Sequence, residues 1–323
     1  MSSITNNNSK GLLLALITAV MWGLLPLALG SVLKLMDAYT ITWYRFIFAA
    51  VAVGILLFKR QKLPTHLLQS KKLIKTMLIT SVFLSLNYIL YLSSLYFVPA
   101  ETAQMLIQMA PFMMLVGSVL ILKESFSRGQ MVGSFVLITG LCLFFNQQFS
   151  NTSSLDREDF LIGFAIMVGA SVTWAAYAIL QKQMLKSFSS NQIMWCIYLL
   201  SSFFFFPLSS PFQVEAFDWL AIALLFFCCA NTLIAYGTFA ESLQYWPASK
   251  VSAVLAITPL LTVVFATIAS ALWPHLYQAQ KLNFLAYLGA IFVVLGSMLT
   301  ALGHKIFSRE RVSALLRIKQ TKR

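Results

Sequence analysis

Side chains able to hydrogen-bond a solute recur at helical intervals in a chain that is otherwise strongly apolar. Thr80, Asn87, Tyr91 and Ser94 follow one another at seven, four and three residues; Glu101, Gln104 and Gln108 at three and four; Asn231, Thr238 and Ser242 at seven and four. Each set places its polar groups along one helix face. In hydrocarbon such groups must face protein or water. Two readings stand side by side: hydrogen bonds between helices, worth about 0.6 kcal/mol each, or the wall of a polar cavity. Arg45 lies inside the apolar stretch 38–58, where an arginine costs about 2.5–3.5 kcal/mol on insertion scales. It either snorkels to the nearby interface or lines a cavity, pairing with Glu101 or holding a carboxylate. Trp22, Trp43, Tyr44, Tyr88, Tyr91, Trp174, Tyr177 and Trp195 crowd the same stretches. An interfacial belt accounts for many aromatics, but Trp22 and Trp174 stand near mid-span and suit an amphipathic site. The candidate ligand-binding residues are therefore Trp22, Trp43, Tyr44, Arg45, Asn87, Tyr91, Gln104, Gln108, Trp174 and Asn231, with no catalytic or metal-ligating set.

These residues converge on a stretch that the chain writes twice. Pro99-Ala100 is followed by Pro111, and Pro247-Ala248 by Pro259, each second proline twelve residues after the first. Both stretches are apolar, so each reads as a helix carrying a proline near its middle. That proline removes one hydrogen bond and frees the carbonyl four residues earlier, on Ile107 and Leu255. A membrane tolerates this where the carbonyl finds a partner or faces a wet cavity. Matched interrupted helices point to a ligand site between two repeats.

The rest of the composition dictates the setting. Of 323 residues, 59% are hydrophobic and 10% charged, with mean hydropathy +0.80. About a quarter of a soluble domain is charged, so this is an integral membrane protein. Ten spans of about 20 residues fall at 11–33, 38–58, 74–97, 100–122, 128–146, 160–181, 190–208, 217–242, 247–272 and 283–303. A cleavable leader ending at Ala28-Leu29-Gly30 is disfavoured, because the first span has a counterpart in the second half. Residues 1–10 form a polar, disordered lead, 147–159 a polar linker, and 304–323 a basic tail that lies on lipid or stays solvated. With both termini in the cytoplasm, only Lys34, Arg157 and Lys281 of the 23 lysines and arginines fall outside, and Arg45 within a span. The excess positive charge then faces the cytoplasm, as membrane topology requires. The net charge of +13 is thus accounted for by the bilayer, with no nucleic-acid partner.

The repeat has further anchors. Trp22 and Trp43 recur as Trp174 and Trp195, each 152 residues on; Gly133 and Gly140 recur as Gly289 and Gly296, each 156 on. The glycines mark faces where two helices approach closely. Five helices per copy is an odd number, so the copies cross in opposite senses. The fold class is therefore all-α, ten transmembrane helices as two inverted five-helix repeats, over 11–146 and 160–303.

This pattern resembles the EamA family of the drug/metabolite transporter superfamily. The resemblance lies in the Pro-Ala openings, in Met21-Trp22-Gly23 through Pro26, in Asp37-Ala38-Tyr39-Thr40-Ile41-Thr42-Trp43-Tyr44-Arg45-Phe46, and in Lys123-Glu124-Ser125-Phe126 ahead of Gly133 and Gly140. The chain departs from the pattern at Ala271-Leu272-Trp273-Pro274, where a glutamate matching Glu124 would be common. The resemblance implies a secondary transporter of the plasma (inner) membrane, exporting or exchanging a small organic metabolite such as an amino acid or a drug-like compound by alternating access. It implies a small-molecule substrate, a lipid bilayer and an open choice of coupling proton or ion, with no cofactor. No GxxxxGK stands in the chain, which removes a P-loop ATP site. Two alternatives remain: an intramembrane enzyme acting on a lipid or peptide, or a channel. Gly169-Ala170-Ser171 has the form of a membrane protease motif, but His66, His275 and His304 all lie outside the spans, which leaves that serine without an imidazole base. A channel would want rings of like groups, which the asymmetric stripes do not form. Cys142, Cys196, Cys228 and Cys229 lie in apolar runs without a CxxC pair and read as small core hydrophobes.

Overall fold

A computed structural model describes residues 2–306 apart from 66, 68, 69, 123–126, 151–153, 247 and 275. The spans are α1 (Ser2–Val32), α2 (Ala38–Lys59), α3 (Lys71–Ser94), α4 in two segments, α4a (Ala100–Leu106) and α4b (Met109–Leu122), and α5 (Arg128–Phe144). The second half repeats them as α6 (Ser154–Met184), α7 (Ser190–Phe205), α8 (Trp219–Tyr245), α9a (Ala248–Leu255) with α9b (Thr258–Leu272), and α10 (Phe284–Ile306). Among the described residues, nine helical spans are long and apolar enough to cross a bilayer, and α5 is a shorter apolar tenth.

Two sequence expectations about the ends of these helices are corrected. Residues 2–10 are the first turns of α1 rather than a separate lead. Within the linker, a short helix spans Asn146–Ser150, and residues 154–159 belong to α6. Polar residues continue a helix past the apolar span readily, because the backbone bonds stay intra-segment on both sides of the interface. The expectations for Lys123–Phe126 and for the tail beyond Ile306 concern residues outside those described.

The repeat is visible in the caps. Asp37 accepts from Tyr39 and Thr40 backbone N–H groups at the start of α2, and Ser189, 152 residues on, caps α7 by accepting from Gln192 N. Such caps satisfy the orphan donors of the first turn. The breaks match as well: α4 turns at Ile107–Gln108 and α9 at Ala256–Ile257, in each case just before the proline. Each proline therefore falls in the first turn of a new helical segment, where its missing N–H costs little. The carbonyl of Ile107 accepts from Ala110 N at 2.8 Å, so the tight turn itself satisfies the group that the sequence leaves to a cavity or a neighbour.

Packing builds two large buried clusters and a small third. One large cluster joins α1, α2, α3, α6, α7 and α8 around Phe46, Leu84, Ile193 and Cys228; the other joins α4, α5, α6 and α10 around Met105, Leu137, Met167 and Val293. The most extensive helix pair is α5 with α10. A Cβ added at Gly133 would meet the backbone of Leu299 and Thr300, and one at Gly296 the backbone of Leu137. Gly140 and Gly289 face each other's backbones in the same way. The absence of side chains at these four positions is what lets the two helices touch. Large apolar side chains such as Phe58, Leu120 and Phe135 point outward, where lipid is their natural solvent.

Candidate functional site

A cavity of about 480 Å³ lies between the halves, lined by Ile107 and Gln108 of the first break and by Leu255 and Ala256 of the second. From there it runs past Met114, Phe239 and Thr300 to Gln130 and Lys182, near the ends of α5 and α6 on the face that carries the α2–α3 loop. Volume and lining suit a small, partly apolar solute.

Eight of the ten residues singled out by sequence border this space: Trp22, Arg45, Asn87, Tyr91, Gln104, Gln108, Trp174 and Asn231. The choice between helix glue and cavity wall turns out to be no choice, since most polar members do both. Asn87 Nδ2 donates to the Ala170 carbonyl at 2.8 Å, linking α3 to α6. Asn231 Nδ2 donates to the Met21 carbonyl at 2.6 Å, linking α8 to α1. Tyr91 donates to Gln104 Oε1 at 2.7 Å, and Ser297 to Gln108 Oε1 at 3.2 Å. One end of each side chain is thereby fixed, and fixed groups present the cavity with a defined pattern.

Trp43 and Tyr44 do not line the cavity. Their rings lie against each other at 5.0 Å, Trp43 packs on Phe206 at 6.0 Å, and the Tyr44 hydroxyl donates to the Pro211 carbonyl at 2.7 Å. They stand one turn or so into α2, and the loop after α7 covers them before they can reach the centre. Trp22 lies deeper and stacks edge-on to Tyr236 at 5.5 Å.

Arg45 is only 4% exposed, which rules out snorkelling. Its Nε donates to Thr232 Oγ1 at 3.0 Å, and its guanidinium carbon sits 4.7 Å from the Tyr88 ring centre, a favourable cation–π distance. The expected pairing with Glu101 is not made. Glu101, 1% exposed, accepts instead from the Tyr277 hydroxyl at 2.8 Å and from Gln280 N at 3.0 Å, both in the α9–α10 loop. Burial and the Glu101 carboxylate push the Tyr277 hydroxyl well above its ordinary value, so it stays a donor at physiological pH. Thr102 adds a bond to Gln280 at 2.9 Å. These contacts tie the start of α4a to the second half, on the face opposite the cavity's opening.

Sequence reasoning passed over several lining groups: Tyr236, Ser252, Thr258 and Ser297. Ser252 had a signal, since it stands 148 residues after Gln104, the same offset that relates Pro111 to Pro259. Thr258 directly precedes that proline. Tyr236 and Ser297 belong to no polar stripe and had none.

Ten helices in two half-copies around a cavity at their seam make this an integral membrane protein of the inverted-repeat transporter class. The chain belongs to the EamA-like transporter family, which matches residues 9–146 and 161–302. It is 42% identical over 296 residues to an uncharacterized transporter of Haemophilus influenzae, covering 92% of this chain and 96% of that one. It is 37% identical over 298 residues to the uncharacterized inner membrane transporter YhbE of Escherichia coli K12, covering 92% of each. A solved crystal structure shares the fold at a TM-score of 0.63 and 15% identity, covering 93% of this chain and 99% of its own.

Proposed function

We propose that this membrane transporter moves a small organic metabolite by alternating access, as an exporter or exchanger of the inner membrane with both termini in the cytoplasm. One observation carries the reading: the cavity lies where both interrupted helices break, reaches one face, and is closed from the other by the Glu101, Thr102 and Tyr277 contacts. A carrier caught open to one side has this form. In the proposed orientation the open side is the cytoplasm. The inner-membrane assignment draws on the relative from E. coli. With no P-loop in the sequence, the energy source is a proton or ion gradient, or the exchanged solute itself. The test is reconstitution into liposomes preloaded with a soluble metabolite extract, with released compounds identified by mass spectrometry. Release of defined compounds that saturates with concentration supports the carrier. Release no faster than from protein-free liposomes removes it, and new compounds formed at the expense of lipid would favour an enzyme.

A further inference from the structure

Arg45 is a buried cation facing a cavity, and among the described residues no carboxylate pairs with it. Its Nε is held by Thr232 and its face by Tyr88, while no hydrogen bond occupies the two terminal nitrogens among those residues. The fold does not require a cation here. By the 152-residue offset that relates Trp43 to Trp195, the position matching Arg45 is Ile197, an apolar residue buried in the second half. An ion kept in one copy, at a site the other copy fills with isoleucine, answers to the ligand rather than to packing. The lining points the same way: no Asp or Glu borders the cavity among the described residues. A cationic solute would meet Arg45 with no described lining carboxylate to neutralise it. Lining residues also carry buried polar atoms that lack a partner among the described atoms. Asn231 Oδ1 and Thr258 Oγ1 are buried without a hydrogen-bond partner among the described atoms, and Asn231 is the neighbour of the Thr232 that holds Arg45. A buried polar atom left unpaired is costly, so these two favour a bound form in which they gain a donor. Trp22, Tyr236 and Phe239 supply an apolar wall beside them.

We infer that the solute is a net-anionic organic acid with a planar, apolar body. Its carboxylate is held end-on by the terminal nitrogens of Arg45, and an O–H or N–H on the body is taken by Asn231 and Thr258. The inference rests on the transporter reading and narrows it. A guanidinium presents two parallel donors that match two carboxylate oxygens, whereas the amide of the same acid offers one acceptor and no charge.

The test uses the full chain in the preloaded liposomes described above. Released compounds are sorted by net charge at neutral pH. Release is then competed by external 3-(4-hydroxyphenyl)propionate, its amide, tyramine and tyrosine, which share one body and differ in charge. The expected result is that carboxylic acids of net negative charge dominate the released set. The propionate should compete at least about tenfold better than the amide, as loss of a charge-assisted bidentate contact implies. Arg45→Gln should bring acid and amide together, and Arg45→Lys should keep part of the difference. If solutes leave but are mainly neutral, zwitterionic or cationic, the carrier stands and this inference falls. Equal competition by propionate and amide on the unaltered protein sinks it too, even if the Arg45 variants fail to fold. If nothing leaves, it is the transporter reading that fails.

Discussion

At the scale of single residues, the question is whether a polar group that bonds a neighbour also serves the ligand. Gln108 separates the two. Its Oε1 accepts from Ser297 at 3.2 Å, a long contact whose removal costs little in a membrane, about 0.6 kcal/mol. Both Gln108→Ala and Ser297→Ala delete that bond, but only the first removes the amide from the cavity. We expect Gln108→Ala to lower liposome flux at least about tenfold, the loss of one good polar contact, with membrane abundance retained, and Ser297→Ala, which takes only one hydroxyl from the lining, to cost clearly less. Equal losses would make Gln108 a helix tie and nothing more. Much of the cavity's lining was legible from residue type and spacing, because a polar side chain in hydrocarbon has so few places to go. Trp43 and Tyr44 misled because aromatics serve an interface as readily as a cavity, and sequence does not say how far along a span the ligand sits. Glu101 misled for a different reason. Its partners, Tyr277 and Gln280 N, lie in a loop with no periodicity to place it, and one of them is a backbone group that carries no side-chain signature at all.

At the scale of elements, the apolar spans, the repeat and the interrupted helices were all readable, since bilayer thickness and proline chemistry leave narrow choices. The site of each break was less so. The chain turns at Ile107–Gln108 and Ala256–Ile257, ahead of the prolines, because a proline suits the start of a segment better than its middle. The pairing of α5 with α10 could be suspected from seven-residue glycine spacing, but only the structure puts those glycines against each other's backbones. A side chain there has no flexible neighbour to displace. Gly296→Leu must therefore force the helices apart, and overpacking of this kind costs about 1–3 kcal/mol or more. We expect lower membrane abundance and a lower melting temperature in detergent. Gly237→Ala is the matched control, in a helix where an added Cβ meets nothing within 4 Å, and it should melt at or slightly above the unaltered protein. A Gly296→Leu protein of normal stability would show that the α5–α10 seam is not what holds the halves together.

At the scale of the whole molecule, charge and hydrogen bonding define two unlike faces. The face with Lys59, Arg60, Lys62, Lys71, Lys72 and Lys75 in and around the α2–α3 loop is the one we place in the cytoplasm. In intact cells an impermeant maleimide should leave Lys71→Cys unlabelled until permeabilisation, and should label Glu215→Cys, exposed on the opposite face, at once. The reverse pattern would turn the protein over. That opposite face is also where the halves are tied. Beneath the Glu101 contacts, Leu27, Ala100 and Ala266 form a small buried cluster with Tyr277 packed on it. For the cavity to open outward, α4a must part from the α9–α10 loop, and the Glu101 bonds are the strongest single obstacle. A hydrogen bond to a charged group contributes about 1.5–3 kcal/mol, so losing even one shifts a two-state equilibrium by about tenfold or more. Glu101→Ala should therefore populate the outward-open form. The direct measure is the labelling rate of Leu27→Cys, 8% exposed when the contacts are made, by the same impermeant reagent from outside. We expect it to rise well beyond about tenfold in the Glu101→Ala background, where both bonds are lost. Tyr277→Phe, which deletes one of the two bonds, should give a smaller rise. If Leu27→Cys labels at the same slow rate in all three proteins, these bonds merely fasten a loop, and the barrier to outward opening lies elsewhere along the seam between the halves.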